Sequence, residues 1–113
     1  MEKYNINYDS EDDVLYIQNA VKEIEESVEF SEEIIWDLDK YGNVIGVEIF
    51  DASEFLNVFN KEIDKGFLKN LSEAYIEYND FRNMMFVILM LESKGKFISQ
   101  PLPPLRKSEY VSP

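Results

Sequence analysis

Apolar and polar side chains alternate with a period of two along much of this chain. Tyr4, Ile6 and Tyr8 fall on one face and Asn5 and Asn7 on the other, which is the mark of a half-buried strand. Asp9-Ser10-Glu11-Asp12-Asp13 reads as a turn, because short polar side chains hydrogen-bond their own backbone. Val14 to Ile17, β-branched and aromatic, is the return strand of a first hairpin. The same pattern is repeated in EIIWDLDKYGNVIGVEIFDASE, residues 33–54. There Ile34, Trp36 and Leu38 share a face, while Ile35, Asp37 and Asp39 share the other. Lys40-Tyr41-Gly42-Asn43 is the turn, with Gly42 free to take a positive φ. Val44 to Phe50 returns with Ile45, Val47 and Ile49 together.

The period then changes. Asp51 reads as an N-cap with Glu54 three residues on, the spacing of a capping box. Leu56, Phe59, Ile63 and Phe67 follow at helical spacing, and Gly66 suits a C-terminal stop. The pattern predicts a helix over Ala52 to Lys65. Ala74 to Tyr78 is a further strand, and Asp80-Phe81-Arg82-Asn83 turns into Met84–Leu91. That run is apolar on both faces and predicts a central strand covered on both sides. Ser93-Lys94-Gly95-Lys96 is a hairpin turn and Phe97-Ile98-Ser99 pairs back. The segment VKEIEESVEFS, residues 21–31, fits either a helix or a strand; a strand or extended edge is favoured by its β-rich Val28-Glu29-Phe30. The expected fold is α+β, a mainly antiparallel sheet of hairpins with one helix packed across it. Residues 1–100 form one domain. Residues 101–113, with Pro101, Pro103 and Pro104, form an extended proline-rich arm.

Composition narrows the chemistry. The chain has no Cys and no His, which removes thiol nucleophiles, zinc-thiolate sites and the commonest general base. The formal net charge is −12, and it is unevenly spread: residues 1–56 hold 16 acidic and 3 basic side chains, residues 57–113 hold 7 and 8. An acidic field of this kind repels nucleic acid and attracts basic partners. The apolar run Met84–Leu91 is far short of the ~20 residues a membrane-spanning helix needs. No charged-then-apolar leader opens the residues given, so the expectation is a cytoplasmic protein with neither nucleic acid nor membrane as a direct partner.

Three stretches invite a functional reading. Asp37, Asp39, Gly42 and Glu48 sit at positions 1, 3, 6 and 12 of a calcium loop. Tyr41 and Ile45 occupy ligand positions, and the flanks alternate like strands, so a hairpin is the better reading. Asp9, Glu11, Asp12 and Asp13 form a carboxylate cluster that would suit a metal-dependent enzyme if it were buried. On an exposed turn it would do no chemistry. Pro101-Leu102-Pro103-Pro104-Leu105-Arg106 resembles a polyproline ligand, or an arm lying on its own domain or on a twin subunit. Its candidate partner contacts are Leu102, Leu105, Arg106 and Tyr110. On the acidic side, Glu25, Glu29 and Glu32 are the candidate contacts for a basic protein.

Tyr8-Asp9, the strand Leu15-Tyr16-Ile17, then Asp39, Gly42-Asn43, Gly46, Glu48-Ile49 and Asp51-Ala52-Ser53 resemble the pattern of the domain-of-unknown-function 2283 family. The resemblance covers residues 4–56 and implies a small β-rich fold, with no established activity and no catalytic residues. For some members it implies an antitoxin-like pairing with small basic toxins. Residues 57–113 form an additional C-terminal half. The expectation is a small acidic, non-enzymatic interaction module without cofactors or metal, binding a basic protein or itself as a homodimer. The alternatives are a nucleic-acid mimic or inhibitor protein, and a metal-dependent enzyme using the Asp9–Asp13 cluster.

Overall fold

Tight hairpins build the first half of the molecule. The computed structural model describes residues 3–106. Strands β1 (Tyr4–Asp9), β2 (Val14–Asn19), β3 (Glu26–Glu29), β4 (Ile34–Leu38) and β5 (Val44–Ile49) form one antiparallel sheet in the order β1-β2-β5-β4-β3. Two helices follow, α1 (Ala52–Phe59) and α2 (Lys65–Lys69). A second antiparallel sheet comprises β6 (Leu71–Phe81), β7 (Met84–Ser93) and β8 (Lys96–Pro101) in that order, with the short β9 (Leu105–Arg106) also pairing with β7. The protein is thus strand-rich α+β, as the alternation predicts. The sheet is divided in two, and the described residues hold two helices where the sequence pattern gave one.

Alternation in the sequence becomes alternation in burial. Leu15 and Ile17 of β2, Ile34, Trp36 and Leu38 of β4, and Val47 and Ile49 of β5 point to one side and are buried. Met85, Val87, Leu89 and Leu91 of β7 supply the matching row of the second sheet. These rows join Leu56, Ile63, Leu68 and Leu102 in one continuous cluster. At ~1.5–3 kcal/mol for each fully buried large aliphatic side chain, this shared core is the main stabilising term. The β6–β7–β8 hairpins close with two-residue turns; Lys94 (φ 52°) and Gly95 (φ 78°) both lie in the left-handed region that such turns require.

β7 is central, paired with β6 and β8, but only one of its faces is covered. Met84, Ile88 and Met90 remain half-buried, and Phe86 is exposed. The arm lies on its own domain, one of the alternatives that the sequence leaves open. Pro101 ends β8 opposite Ile88, and the Leu102 N–H donates to the Val87 carbonyl at 2.9 Å. The Leu102 side chain is 5% exposed. Up to Arg106, therefore, the proline-rich segment lies on its own sheet.

The helical region is shorter than its spacing suggests. α1 ends at Phe59, and Asn60 is extended (φ −147°, ψ 112°). Asn57 Nδ2 donates to the carbonyls of Lys61 and Ile63, and Asn60 Oδ1 accepts from the Glu62 N–H. These amides offer the backbone an alternative to the helix. Asp64 then caps α2, its Oδ1 accepting from the Phe67 N–H at 2.8 Å. Gly66 sits inside α2 and is not its stop.

The start of α1 departs further from expectation. Asp51 is left-handed (φ 51°, ψ 45°) and makes no side-chain cap. The cap comes from Asp13, forty positions earlier. Its carboxylate accepts from the Ser53 N–H at 3.0 and 3.2 Å and from the Ser53 hydroxyl at 2.8 Å. The Asp13 carbonyl accepts from the Ala52 N–H at 2.8 Å. The Tyr8 hydroxyl donates to Asp13 Oδ1 at 2.5 Å. Asp13 is itself left-handed (φ 56°) and 8% exposed, so it is no part of an exposed carboxylate cluster. Burial alone would raise its pKa, but the bonds from Tyr8 and Ser53 outweigh that and hold the carboxyl below its ordinary value.

Asp13→Ala removes three side-chain bonds at one helix start, and a loss of about 2–4 kcal/mol is expected in urea denaturation at pH 7. Asp13→Asn keeps one acceptor and tolerates the left-handed backbone, so about 1–2 kcal/mol is expected. The folded carboxyl has the lower pKa. Its contribution is therefore complete above the unfolded value of about 4 and fades as the pH falls through the folded value. The gap between wild type and Asp13→Asn should accordingly narrow at pH 3; a gap that stays constant from pH 7 to pH 3 would contradict this assignment.

Candidate functional site

Alternation that buries one face of the first sheet must expose the other. Register places Asn7 and Asp9 of β1, Tyr16 and Gln18 of β2, Gly46 and Glu48 of β5, Ile35 and Asp37 of β4, and Ser27 and Glu29 of β3 on this outer face. None of the five strands carries a Lys or Arg. The face is therefore polar and of one sign.

Its middle is concave. An open cleft of about 470 Å³ is lined by Asp9, Tyr16, Ser27, Asp37 and Glu48, with Ile24 and Ile35 at its apolar side. Asp37, 5% exposed, forms its floor. One of its oxygens accepts from the Ser27 hydroxyl at 2.7 Å and the other from the Tyr16 hydroxyl at 3.1 Å. Tyr16 Oη also lies 2.7 Å from Gln18 Oε1. Burial, and then the neighbouring charges of Asp37 and Glu48, push the Tyr16 phenol up to about 12.

Asp37 lies this deep because its cross-strand neighbour is Gly46. A Cβ on Gly46 would meet Asp37 Oδ2 at 2.9 Å and the Ile17 carbonyl oxygen at 3.3 Å. The glycine thus holds room for a carboxylate.

The calcium-loop reading does not survive the geometry. Asp39 Oδ1 accepts from the Tyr41 and Asn43 N–H groups, each at 2.9 Å, and so shapes the β4–β5 turn. Gly42 there takes φ 81°. Asp37 and Glu48 belong to the sheet face. The Asp9–Asp13 stretch is likewise divided: Asp9 Oδ1 accepts from the N–H groups of Glu11 and Asp12 to form the turn, while Asp13 is buried at the helix. Among the described residues, no group of three or more Asp and Glu side chains could hold a metal ion.

The predicted contact residues fall into two places. Glu25, Glu29 and Glu32 are exposed along the β3 edge of the first sheet; the Glu25 N–H donates to the Leu38 carbonyl at 2.8 Å. Arg106 is exposed on β9 of the second sheet, beside Met84. Leu105 lies on β9, and Leu102 is buried in the chain's own core, where it fixes the arm and presents nothing to a partner. Tyr110 lies outside the described residues. Reading by sequence missed the Tyr16–Asp37–Ser27 cluster. The alternation assigns each to an outer face, but only the register brings three strands' residues together.

A two-sheet α+β protein with an acidic outer face is the class these observations define. The chain belongs to the family described as Protein of unknown function (DUF2283), whose pattern matches residues 5–53. It is 31% identical over 98 residues to the uncharacterised protein MJ0789 of Methanocaldococcus jannaschii, a match spanning 87% of this chain and 83% of that relative. The similarity runs well past residue 53, so the second half is shared with that protein in part. No solved structure matches the chain. Among the described residues, no helix is long and apolar enough to cross a membrane.

Gly46→Ala should force the Asp37 carboxylate from its floor and cost about 1–3 kcal/mol in urea denaturation. Gly42→Ala meets no atom within 4 Å and carries only the strain of its positive φ, about 1–2 kcal/mol. Asp37→Asn should lower the Tyr16 pKa from about 12, read by ultraviolet titration of the phenolate against a Tyr16→Phe control. A folded-state pKa above the unfolded value of about 10 means the Tyr16 contribution is complete below that pH. It is lost as the pH rises through the folded value.

Proposed function

We propose that the protein is a small, non-enzymatic interaction module of the cytoplasm that forms a homodimer and binds a basic protein through the outer face of its first sheet. Pairing with a small basic toxin, as an antitoxin does, is one form of this role. The observation that carries the reading is the sign of that face: Asp9, Glu29, Asp37 and Glu48 lie on it, and none of the sheet's five strands contains a Lys or Arg. The three basic residues of the first half, Lys3, Lys22 and Lys40, lie outside the strands. Such a one-sign surface steers basic partners and rejects acidic ones. The cleft beside Tyr16 would take a Lys or Arg side chain, with carboxylates to pair its charge and Ile24 and Ile35 to cover its stem.

The test is co-purification from native lysate at low salt, with wild type and the variant Asp9→Asn/Glu29→Gln/Glu48→Gln as baits. Wild type should retain a protein of basic isoelectric point that is released by raising the salt, and the variant should recover at least tenfold less of it. Equal recovery by both baits, or no basic protein with either, would remove the support for this reading.

A further inference from the structure

The second sheet leaves its outer face uncovered, and this face differs from the first sheet's in chemistry. Its middle is apolar save for Glu77: Ile88 and Met90 of β7 and Tyr75 of β6 are half-buried, Phe86 is 39% exposed, and the exposed Glu77 is paired with Ile88 across β6 and β7. Its two ends have opposite sign. At one end Glu73 and Glu92 are paired across β6 and β7. At the other, Arg106 lies beside Met84 on β9, and Arg82 occupies the β6–β7 turn.

The spacing is regular. Glu92 stands four residues from Ile88 in one direction, and Met84, with Arg106 beside it, stands four residues away in the other. At ~3.3 Å per residue, each end lies about 13 Å from Ile88. A two-fold axis through Ile88 therefore places the acidic end of one copy over the basic end of another at both ends at once, while the apolar middles meet. A two-fold interface must be complementary to itself in this way.

Among the other charges of these strands, only Glu77 lies on this face. Lys96 points to the opposite side of the sheet, where it pairs with Glu62. Lys94 lies in the β7–β8 turn beyond the acidic end, and the two-fold axis brings the Glu77 side chains of the two copies to the same place, at the open β6 edge of the sheet. The half of the chain that carries this face is nearly neutral, with 7 acidic and 8 basic side chains in residues 57–113. Two copies can therefore approach here without the repulsion that the first half would impose.

We infer that the outer face of the second sheet binds a second copy of this chain, with the two β7 strands antiparallel across a two-fold axis near Ile88. The inference rests on the self-association in the functional reading above and specifies its surface and orientation. Aligned packing of two sheets face to face is a common geometry and needs no change of backbone.

The experiment is sedimentation equilibrium of the full chain at low salt, with circular dichroism as the control for folding. Wild type should sediment as a dimer and Ile88→Asp as a monomer with an unchanged spectrum. Glu73→Lys/Glu92→Lys leaves both ends positive, and Arg82→Glu/Arg106→Glu leaves both negative. Each variant alone should weaken dimerisation at least tenfold, and an equimolar mixture should recover dimers, because each then meets ends of opposite sign. A monomeric wild type would overturn the inference together with the homodimer. A dimer that survives Ile88→Asp would overturn this face but not the homodimer. Charge variants that fail to complement each other would overturn the antiparallel arrangement, as would charge variants that dimerise as well as wild type. Glu73, Arg82 and Arg106 are exposed and Glu92 is half-buried, so the charge variants keep the test valid should Ile88→Asp misfold. None of these outcomes depends on a basic partner for the acidic face.

Discussion

One buried carboxylate ties the fold together. Asp13 closes the first hairpin in a left-handed conformation, receives the Tyr8 hydroxyl, and caps α1 through both the backbone and the hydroxyl of Ser53. An uncapped helix start leaves N–H groups without partners. An uncompensated buried carboxylate is costly in its own right. Each group here resolves the other's problem. The hairpin and the helix are thereby fixed relative to one another, and with them the side of the first sheet on which the core accumulates. The Tyr16 cleft and the acidic face lie on the opposite side as a consequence.

Elements governed by local rules were legible in the sequence. The period-two alternation of Tyr4 to Tyr8, and of Ile34 to Leu38, gave both the strands and the correct buried faces. The Gly42 turn followed from the need for positive φ, and the turn at Lys94-Gly95 was legible as well. Non-local choices were not legible. Asp51-Ala52-Ser53-Glu54 has the letters of a capping box, yet a residue forty positions earlier takes the capping role and Asp51 turns left-handed. The spacing of Leu56, Phe59 and Ile63 implied one helix; the side-chain amides of Asn57 and Asn60 divert the backbone first. Asp37 could be placed on an outer face, but its burial depends on facing Gly46, a cross-strand fact that only the register reveals. The apolar character of Met84–Leu91 was plain, whereas which of its faces would be covered depended on tertiary packing.

The two sheets present surfaces of different kinds. The first is polar, acidic and indented. The second is apolar at its centre, with a short acidic and a short basic margin. A chain with a net charge of −12 carries its excess acid in the first half and leaves the second half nearly neutral. The proline-rich segment adds to this division. Leu102 seats it in the core, so Arg106 is held beside β7 where a free arm would have let it wander.

The cap on α1 also has a bearing on the order of folding. A helix of eight residues is marginal by itself in water, and α1 lacks a cap from its own neighbourhood. It therefore gains much of its stability only when the β1–β2 hairpin has already formed and docked. The carboxylate it needs lies on its N-terminal side, so during synthesis the capping hairpin leaves the ribosome well before Ser53 does. The element that depends on a distant partner is made after that partner. A circular permutation that moved β1 and β2 behind α1 would keep the contacts of the folded state while reversing that order.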